Sequence, residues 1–146
     1  MPILQLKLSS PDFGFTLTDN QEQSMKMDIP VDQGGNGDGF RPMQLLLGAL
    51  CGCSAVDVVS ILKKQRQTLE DLVITVDGER QHGKEPALWE KVELHFYLTG
   101  EIEPDKAYRS VQLSIDKYCS VAETLRLSGA VINWNVSLNN ILLSSK

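Results

Sequence analysis

The chain has 146 residues, enough for a single domain spanning 1–146 with a substantial core, and its 14 basic against 19 acidic residues leave a net charge of −5 with no basic block. That balance excludes a surface built to neutralise a nucleic-acid backbone, and three cysteines are too few for a disulfide framework. The N-terminus has no basic segment followed by a continuous apolar run, and no stretch is expected to be long enough to span a bilayer, so the expected compartment is the cytoplasm, with no membrane partner.

The first thirty residues alternate in three bursts: Leu4, Leu6 and Leu8, then Phe13, Phe15 and Leu17, then Met25, Met27 and Ile29. This is the period of half-buried strands. Turn residues at Ser9-Ser10-Pro11-Asp12 and Asp19-Asn20 make an antiparallel meander the economical arrangement. A loop with four glycines follows over residues 32–39. No Gly-Lys-Ser/Thr closes it as a phosphate loop, and Met43 stands where a calcium loop starting at Asp32 needs its glutamate, so a mobile lid or connector is expected.

Pro42, favoured at a first helical position, opens a helix expected over residues 42–66. From Leu45 to Leu62 this helix is apolar on nearly every face, which suits the centre of a homodimer. Lys63, Lys64 and Arg66 gather near its end, where cations complement the helix dipole. Alternation then returns at Leu72, Ile74 and Val76 and again at Val92, Leu94, Phe96 and Leu98. Asp77-Gly78 and His82-Gly83-Lys84 are expected to interrupt these strands as a long bent hairpin. Pro104 starts a second helix with Ala107, Tyr108, Val111, Ile115 and Tyr118 on one stripe, ending at Cys119. Ser120 and Glu123 have the spacing of a capping box for a short helix that stops at Gly129, and Ile132, Trp134, Val136 and Leu138 make a last strand. Hairpins with segregated helices read as α+β.

Cys53 and Cys119 lie sixty-six positions apart, so no local Cys-x-x-Cys pair exists and any meeting of their sulfurs depends on the tertiary fold. The competing reading is that both are core residues, since free cysteine is among the most buried residue types. Cys119 falls just outside a predicted helix N-terminus, where orphan N–H groups favour a thiolate. Cys53 sits in mid-helix among apolar neighbours with Asp57 one turn later, so it needs a cation from elsewhere to act as a thiolate. Arg41, Arg80 and Arg126 are the candidates. Asp57 itself, on an otherwise apolar turn, must find a partner. Cys51 is offset by about 200° around the helix from Cys53 and is read as core. Those three sulfurs do not make a metal site, because the two near ones diverge and His82 and His95 lack ligand spacing. His95, between Leu94 and Phe96, reads as a histidine on the solvent face of a strand.

Arg41-Pro42-Met43-Gln44-Leu45-Leu46-Leu47, Gly52-Cys53-Ser54-Ala55-Val56-Asp57-Val58 and Lys117-Tyr118-Cys119-Ser120-Val121, in that order, resemble the OsmC/Ohr family of osmotically inducible and organic-hydroperoxide-resistance proteins. The resemblance spans essentially the whole chain. It implies an α+β, intertwined homodimer with antiparallel sheets around long central cysteine-bearing helices. It also implies that Cys53 is the peroxidatic thiol and Cys119 the resolving thiol of an organic hydroperoxide reductase, recycled by a dithiol of the lipoyl type and using no metal, flavin or other cofactor. The family pattern places a glutamate directly after the helix-opening proline and pairs it with an arginine from the N-terminal strands. Here Met43 takes that place and residues 1–40 contain no arginine, only Lys7 and Lys26. The chain therefore reads as a divergent OsmC-like subfamily, with Arg41 or Arg80 as replacement cations and Asp57 as a supporting group. Met43 and Cys53 are about 15 Å apart along one helix, so groups completing the site are expected from another segment or a partner subunit. A noncatalytic dimer binding a small or lipid-like ligand, and a redox-sensing stress protein, are the alternatives on the same fold.

Overall fold

In the computed structural model, which describes residues 2–145, the three N-terminal bursts of alternation form strands β1 (Leu4–Leu8), β2 (Phe15–Asp19) and β3 (Ser24–Met27). They make an antiparallel sheet in the order β1-β2-β3, with Leu6 opposite Leu17 and Leu17 opposite Met25. The Asp19 carboxylate accepts the N–H groups of Gln21 and Gln23 at 2.8 Å each and so closes the second turn where the sequence placed it. Phe13 and Ile29 fall outside the strands. The expected half-burial is not found: all five residues of β1 and most of β3 are exposed, and β2 is intermediate. Alternation decides which face a side chain takes, whereas burial needs a second layer against that face.

These strands belong to a unit that ends at Leu46, and a second unit begins at Leu47. Within the first, the glycine-rich loop is an organised connector, with a 3-10 turn at Val31–Gln33. Its centre is the buried carboxylate of Asp28, which accepts the backbone N–H groups of Ile29 at 2.7 Å, Asp38 at 3.2 Å and Asn36 at 3.4 Å. Burial pushes that carboxyl upward, but the three donors outweigh it and hold it below its usual range. Gly35 is required there, because a side chain would run into the Ile29 carbonyl and the Asp28 carboxylate.

Helix α1 (Pro42–Lys64) starts at the expected proline and stops two residues early. Arg66 turns into the left-handed region at φ 59° and the Gln67 N–H reaches back to the Leu62 carbonyl, which terminates the helix. By length and composition alone α1 could cross a membrane, which corrects the expectation that no stretch would qualify. Its buried residues, Leu47, Leu50, Ser54, Val58 and Leu62, form one stripe at helical spacing, while Val56 and Val59 on other faces are exposed.

Strands β4 (Thr68–Arg80) and β5 (Trp89–Glu101) pair antiparallel with Ile74 opposite Phe96. The interruption expected at Asp77-Gly78 is absent, and β4 runs straight through it. Gly78 serves close packing instead: a Cβ there would lie 2.9 Å from the Trp89 ring. The hairpin turns at the other expected place, where Gly83 has φ 67°. After β5 the chain crosses over through α2 (Pro104–Leu113), a π-helical turn (Ser114–Tyr118) and α3 (Ser120–Leu127) into β6 (Val131–Leu138). β6 lies parallel to β5, with Phe96 beside Val136, so this sheet is mixed and not antiparallel as expected. The reason is topological: helices between two neighbouring strands supply the long crossover that parallel pairing demands. A short β7 (Ile141–Leu142), not foreseen, completes the order β4-β5-β6-β7.

One face of this sheet carries Val92, Leu94, Phe96, Leu98 and Val136, buried with Leu50, Val58 and Leu62 of α1 and Val111 and Ile115 of the crossover in one apolar core. The other face carries His95, half-buried, stacked on Tyr97 with ring centroids 4.0 Å apart and its Nε2 2.8 Å from Ser137 Oγ. His95 thus takes the face the sequence assigned it. The α+β class stands.

Candidate thiol site

Two elements build the site, and each does so through a local irregularity or spacing that its sequence dictates. On α1, Cys53 and Asp57 are four residues apart and share a face. Between them Ser54 is fully buried and satisfies its hydroxyl by donating to the Leu50 carbonyl at 2.8 Å, so it costs the core no unpaired polar group. Opposite, α2 buries Ala107, Ser110 and Val111 before widening into the π-helical turn, where the Cys119 N–H reaches the Ser114 carbonyl at 2.7 Å. The wider turn leaves both Ser114 and Ile115 buried.

Cys119 leaves the helix with φ −73° and ψ 106° and is itself the cap of α3, its Sγ accepting the Ala122 N–H at 3.4 Å. The capping box expected from Ser120 is therefore replaced: Ser120 is the first helical residue, and Glu123 reaches forward to Arg126 at 3.4 Å. A buried thiol with an acceptor lone pair occupies the cap because the preceding π turn aims it there.

The sulfurs of Cys53 and Cys119 and a carboxylate oxygen of Asp57 all lie within 4.8 Å of one another. The carboxylate finds its partner in Ser114, whose hydroxyl donates to Asp57 Oδ2 at 2.9 Å and also lies 3.3 Å from the Ser54 carbonyl. Cys119 is only 3% exposed. Burial first, and then hydrogen bonding to and charge repulsion from Cys53, push its thiol up to about 11, against the opposing pull of the Ala122 and Val121 N–H groups. This reverses the expectation of a thiolate favoured by the helix N-terminus: α3 has eight residues and its end donors do not offset desolvation. Burial also pushes up the half-buried Cys51 thiol, which lies outside this group.

Two of the three predicted cations are engaged elsewhere. Arg80 donates through Nε and Nη2 to the Ala87 carbonyl, at 3.3 Å and 2.8 Å, with its guanidinium 5.9 Å from the Trp89 ring centroid. Arg126 donates to the Ile115 carbonyl at 2.7 Å and pairs with Glu123. Arg41 directly precedes α1, exposed, and its backbone N–H donates to Gln44 Oε1 at 3.3 Å. The structure thus gathers Cys53, Asp57 and Cys119 from the predicted set and adds Ser114, which sequence reading missed. The signal was a serine on the stripe of Ala107, Val111 and Ile115, a place where a polar side chain needs a specific partner. Two thiols and a carboxylate can run dithiol redox chemistry or hold a thiophilic cation. The donor set differs from the three sulfurs weighed in the sequence, because Asp57 takes the place given to Cys51.

A family model described as "OsmC-like protein" matches residues 35–135. The chain is 46% identical over 91 residues to the protein YhfA of Escherichia coli K12, which covers 61% of this chain and 67% of that one. The crystal structure of a hypothetical protein from Aquifex aeolicus is similar at 32% identity and a TM-score of 0.76, over 95% of this chain and 99% of the other. That of an organic hydroperoxide resistance protein OsmC from Legionella pneumophila has the same fold at 19% identity and a TM-score of 0.70, over 94% and 98% of the two chains.

Proposed function

This chain belongs to the OsmC-like family, and we propose that it is a cysteine-based thiol peroxidase reducing organic hydroperoxides, with Cys53 peroxidatic and Cys119 resolving. The observation that carries the reading is the approach of these two sulfurs to within 4.8 Å across sixty-six positions of sequence. The Cys53 thiolate attacks the terminal oxygen of a hydroperoxide, the O–O bond breaks, an alcohol leaves and Cys53 becomes a sulfenic acid. Cys119 then displaces water to form the disulfide, and an external dithiol of the lipoyl class returns both thiols. The name of the similar Legionella protein, a hydroperoxide resistance protein, supports the substrate class, and the apolar neighbours of Cys53 on α1 favour an alkyl hydroperoxide over hydrogen peroxide.

The working form in this reading is a cytoplasmic homodimer. Leu6 on β1 is 53% exposed and Val56 on α1 69% exposed, and apolar faces of this kind are covered in a stable soluble assembly by a second copy. With Arg80 and Arg126 engaged, the cation that activates Cys53 comes from the partner subunit. Stopped-flow oxidation of the reduced protein by an alkyl hydroperoxide tests the reading. A Cys53 rate orders of magnitude above that of a free thiol is expected. A rate no faster than a free thiol sinks the peroxidase, and mass spectrometry of ligands retained on the purified protein then tests a binding dimer.

A further inference from the structure

We propose that Asp57 is the general base of the resolving step: its carboxylate takes the proton from the Cys119 thiol as that sulfur attacks Cys53. This rests on the thiol-redox reading above and assigns a further catalytic group within it. Three observations converge. Asp57 has a carboxylate oxygen within 4.8 Å of both reacting sulfurs, close enough for proton transfer after a small approach or through one water. Its other contact is built: the Ser114 hydroxyl holds Oδ2 at 2.9 Å, and the carbonyl of the same Ser114 accepts the Cys119 N–H at 2.7 Å. One residue of the π-helical turn therefore positions both the base and the thiol that gives up the proton. Finally, Cys119 is buried and needs help: burial and Cys53 keep its thiol protonated far above neutral pH, so an unassisted attack has almost no thiolate to work with.

The step balances. The Cys119 S–H bond breaks with its proton going to Asp57, the Cys119 sulfur bonds to the Cys53 sulfur, and the S–O bond of the sulfenic acid breaks. The departing hydroxide takes the proton from Asp57 and leaves as water. Cys119 is oxidised, Cys53 is reduced from sulfenic acid to disulfide, and the oxidising equivalent is the one the hydroperoxide supplied. The groups facing Asp57 are Cys53 on α1, Cys119 at the head of α3 and Ser114 on the π turn. The charged residues of the packed elements are occupied or exposed: Glu123 and Arg126 of α3 pair with each other, Asp116 and Lys117 are exposed, and Lys63 and Lys64 lie exposed at the end of α1.

A test that does not need peroxide separates this proposal from the peroxidase reading. Reduced protein carrying Cys51→Ser is treated with one equivalent of 5,5′-dithiobis(2-nitrobenzoate), which loads Cys53 as a mixed disulfide and releases one coloured thiolate. Attack by Cys119 then releases a second, while Cys119→Ser stops after the first, and peptide mass spectrometry of the loaded protein places the mixed disulfide on Cys53. Asp57→Asn is expected to slow the second release about a hundredfold relative to the first, the size of a lost general base. The second release should be level across neutral pH in the parent protein and climb about tenfold per pH unit in Asp57→Asn, where hydroxide must do the same work. Formate should restore part of the rate in Asp57→Gly, and Ser114→Ala, which frees the carboxylate without removing it, should slow the second release less than Asp57→Asn. An unchanged second release in Asp57→Asn, an equal slowing of both releases, or a second release with the parent's pH profile would each overturn the assignment. Failure of the parent protein to consume hydroperoxide while the second release still depends on Asp57 would overturn the peroxidase reading and leave Asp57 as base in a dithiol exchange.

Discussion

Strands β1 and β5 carry the same alternation of apolar residues and meet opposite fates. Leu4, Leu6 and Leu8 of β1 are all exposed, whereas Val92, Leu94, Phe96 and Leu98 of β5 are all buried. Among the described residues the first unit supplies three strands, a loop with a 3-10 turn and the first turn of α1, while the second supplies a sheet and three helices that close over one of its faces. A period of two therefore specifies the face of a strand and leaves its cover to other elements. Cys53, Asp57 and Cys119 sit in the unit with the covered core, and in the proposed homodimer the exposed face of the first sheet is covered by a second copy.

The largest effect expected is at the thiols of the second unit. Cys53→Ser should abolish hydroperoxide turnover, because a serine hydroxyl forms no sulfenic acid, and Cys119→Ser should permit one round that traps Cys53 as sulfenic or overoxidised acid, both read by intact-mass spectrometry. Cys51→Ser should leave turnover close to the parent's. Next in size is the contrast between the strands. Phe96→Ala in the core should cost about 3–5 kcal/mol in urea unfolding. Leu6→Ala should cost far less in a dilute monomer and instead weaken self-association by sedimentation. Equal losses in both variants at all concentrations would break the contrast.

A smaller effect follows from Cys119. Its thiol is raised from the ordinary value of 9.0 to about 11, so between those two pH values the folded protein keeps a proton that the unfolded chain has released. The unfolded state then binds fewer protons, and stability falls as pH rises through that window, having been fully present below it. The urea midpoint should drop from pH 9 towards 11 more steeply in the parent than in Cys119→Ser. The smallest effect belongs to the first unit. Lys26 and Asp38 pair at 2.9 Å with side chains 68% and 71% exposed, so Lys26→Ala should change stability by no more than about 0.5 kcal/mol, and less at high salt.

What could be read without coordinates was whatever depends on neighbours in sequence. The β1–β3 turns at Ser9-Ser10-Pro11-Asp12 and Asp19-Asn20, the starts of α1 at Pro42 and α2 at Pro104, and the faces of Leu94, His95 and Phe96 all follow from local chemistry or from periodicity, whereas the stripe predicted through Tyr118 breaks at the π turn, which leaves Tyr118 exposed. Gly78 misled because glycine marks a turn and a close packing contact alike, and only the Trp89 ring beside it distinguishes them. Cys119 misled in charge because a helix N-terminus can be seen in sequence, while its desolvation cannot.

The sequence by itself determined the order of β1 to β6 and of the three α-helices, and the α+β class, because each rests on interactions spanning a few residues. It also singled out Cys53, Asp57 and Cys119 as candidate site residues, beside the reading of both cysteines as core. Only the tertiary structure decided that β6 runs parallel to β5, that Ser114 joins the thiols, and that two sulfurs sixty-six positions apart come within reach. Such meetings depend on which layers pack together, and packing is set by the sum of many weak apolar contacts that no short stretch of chain contains.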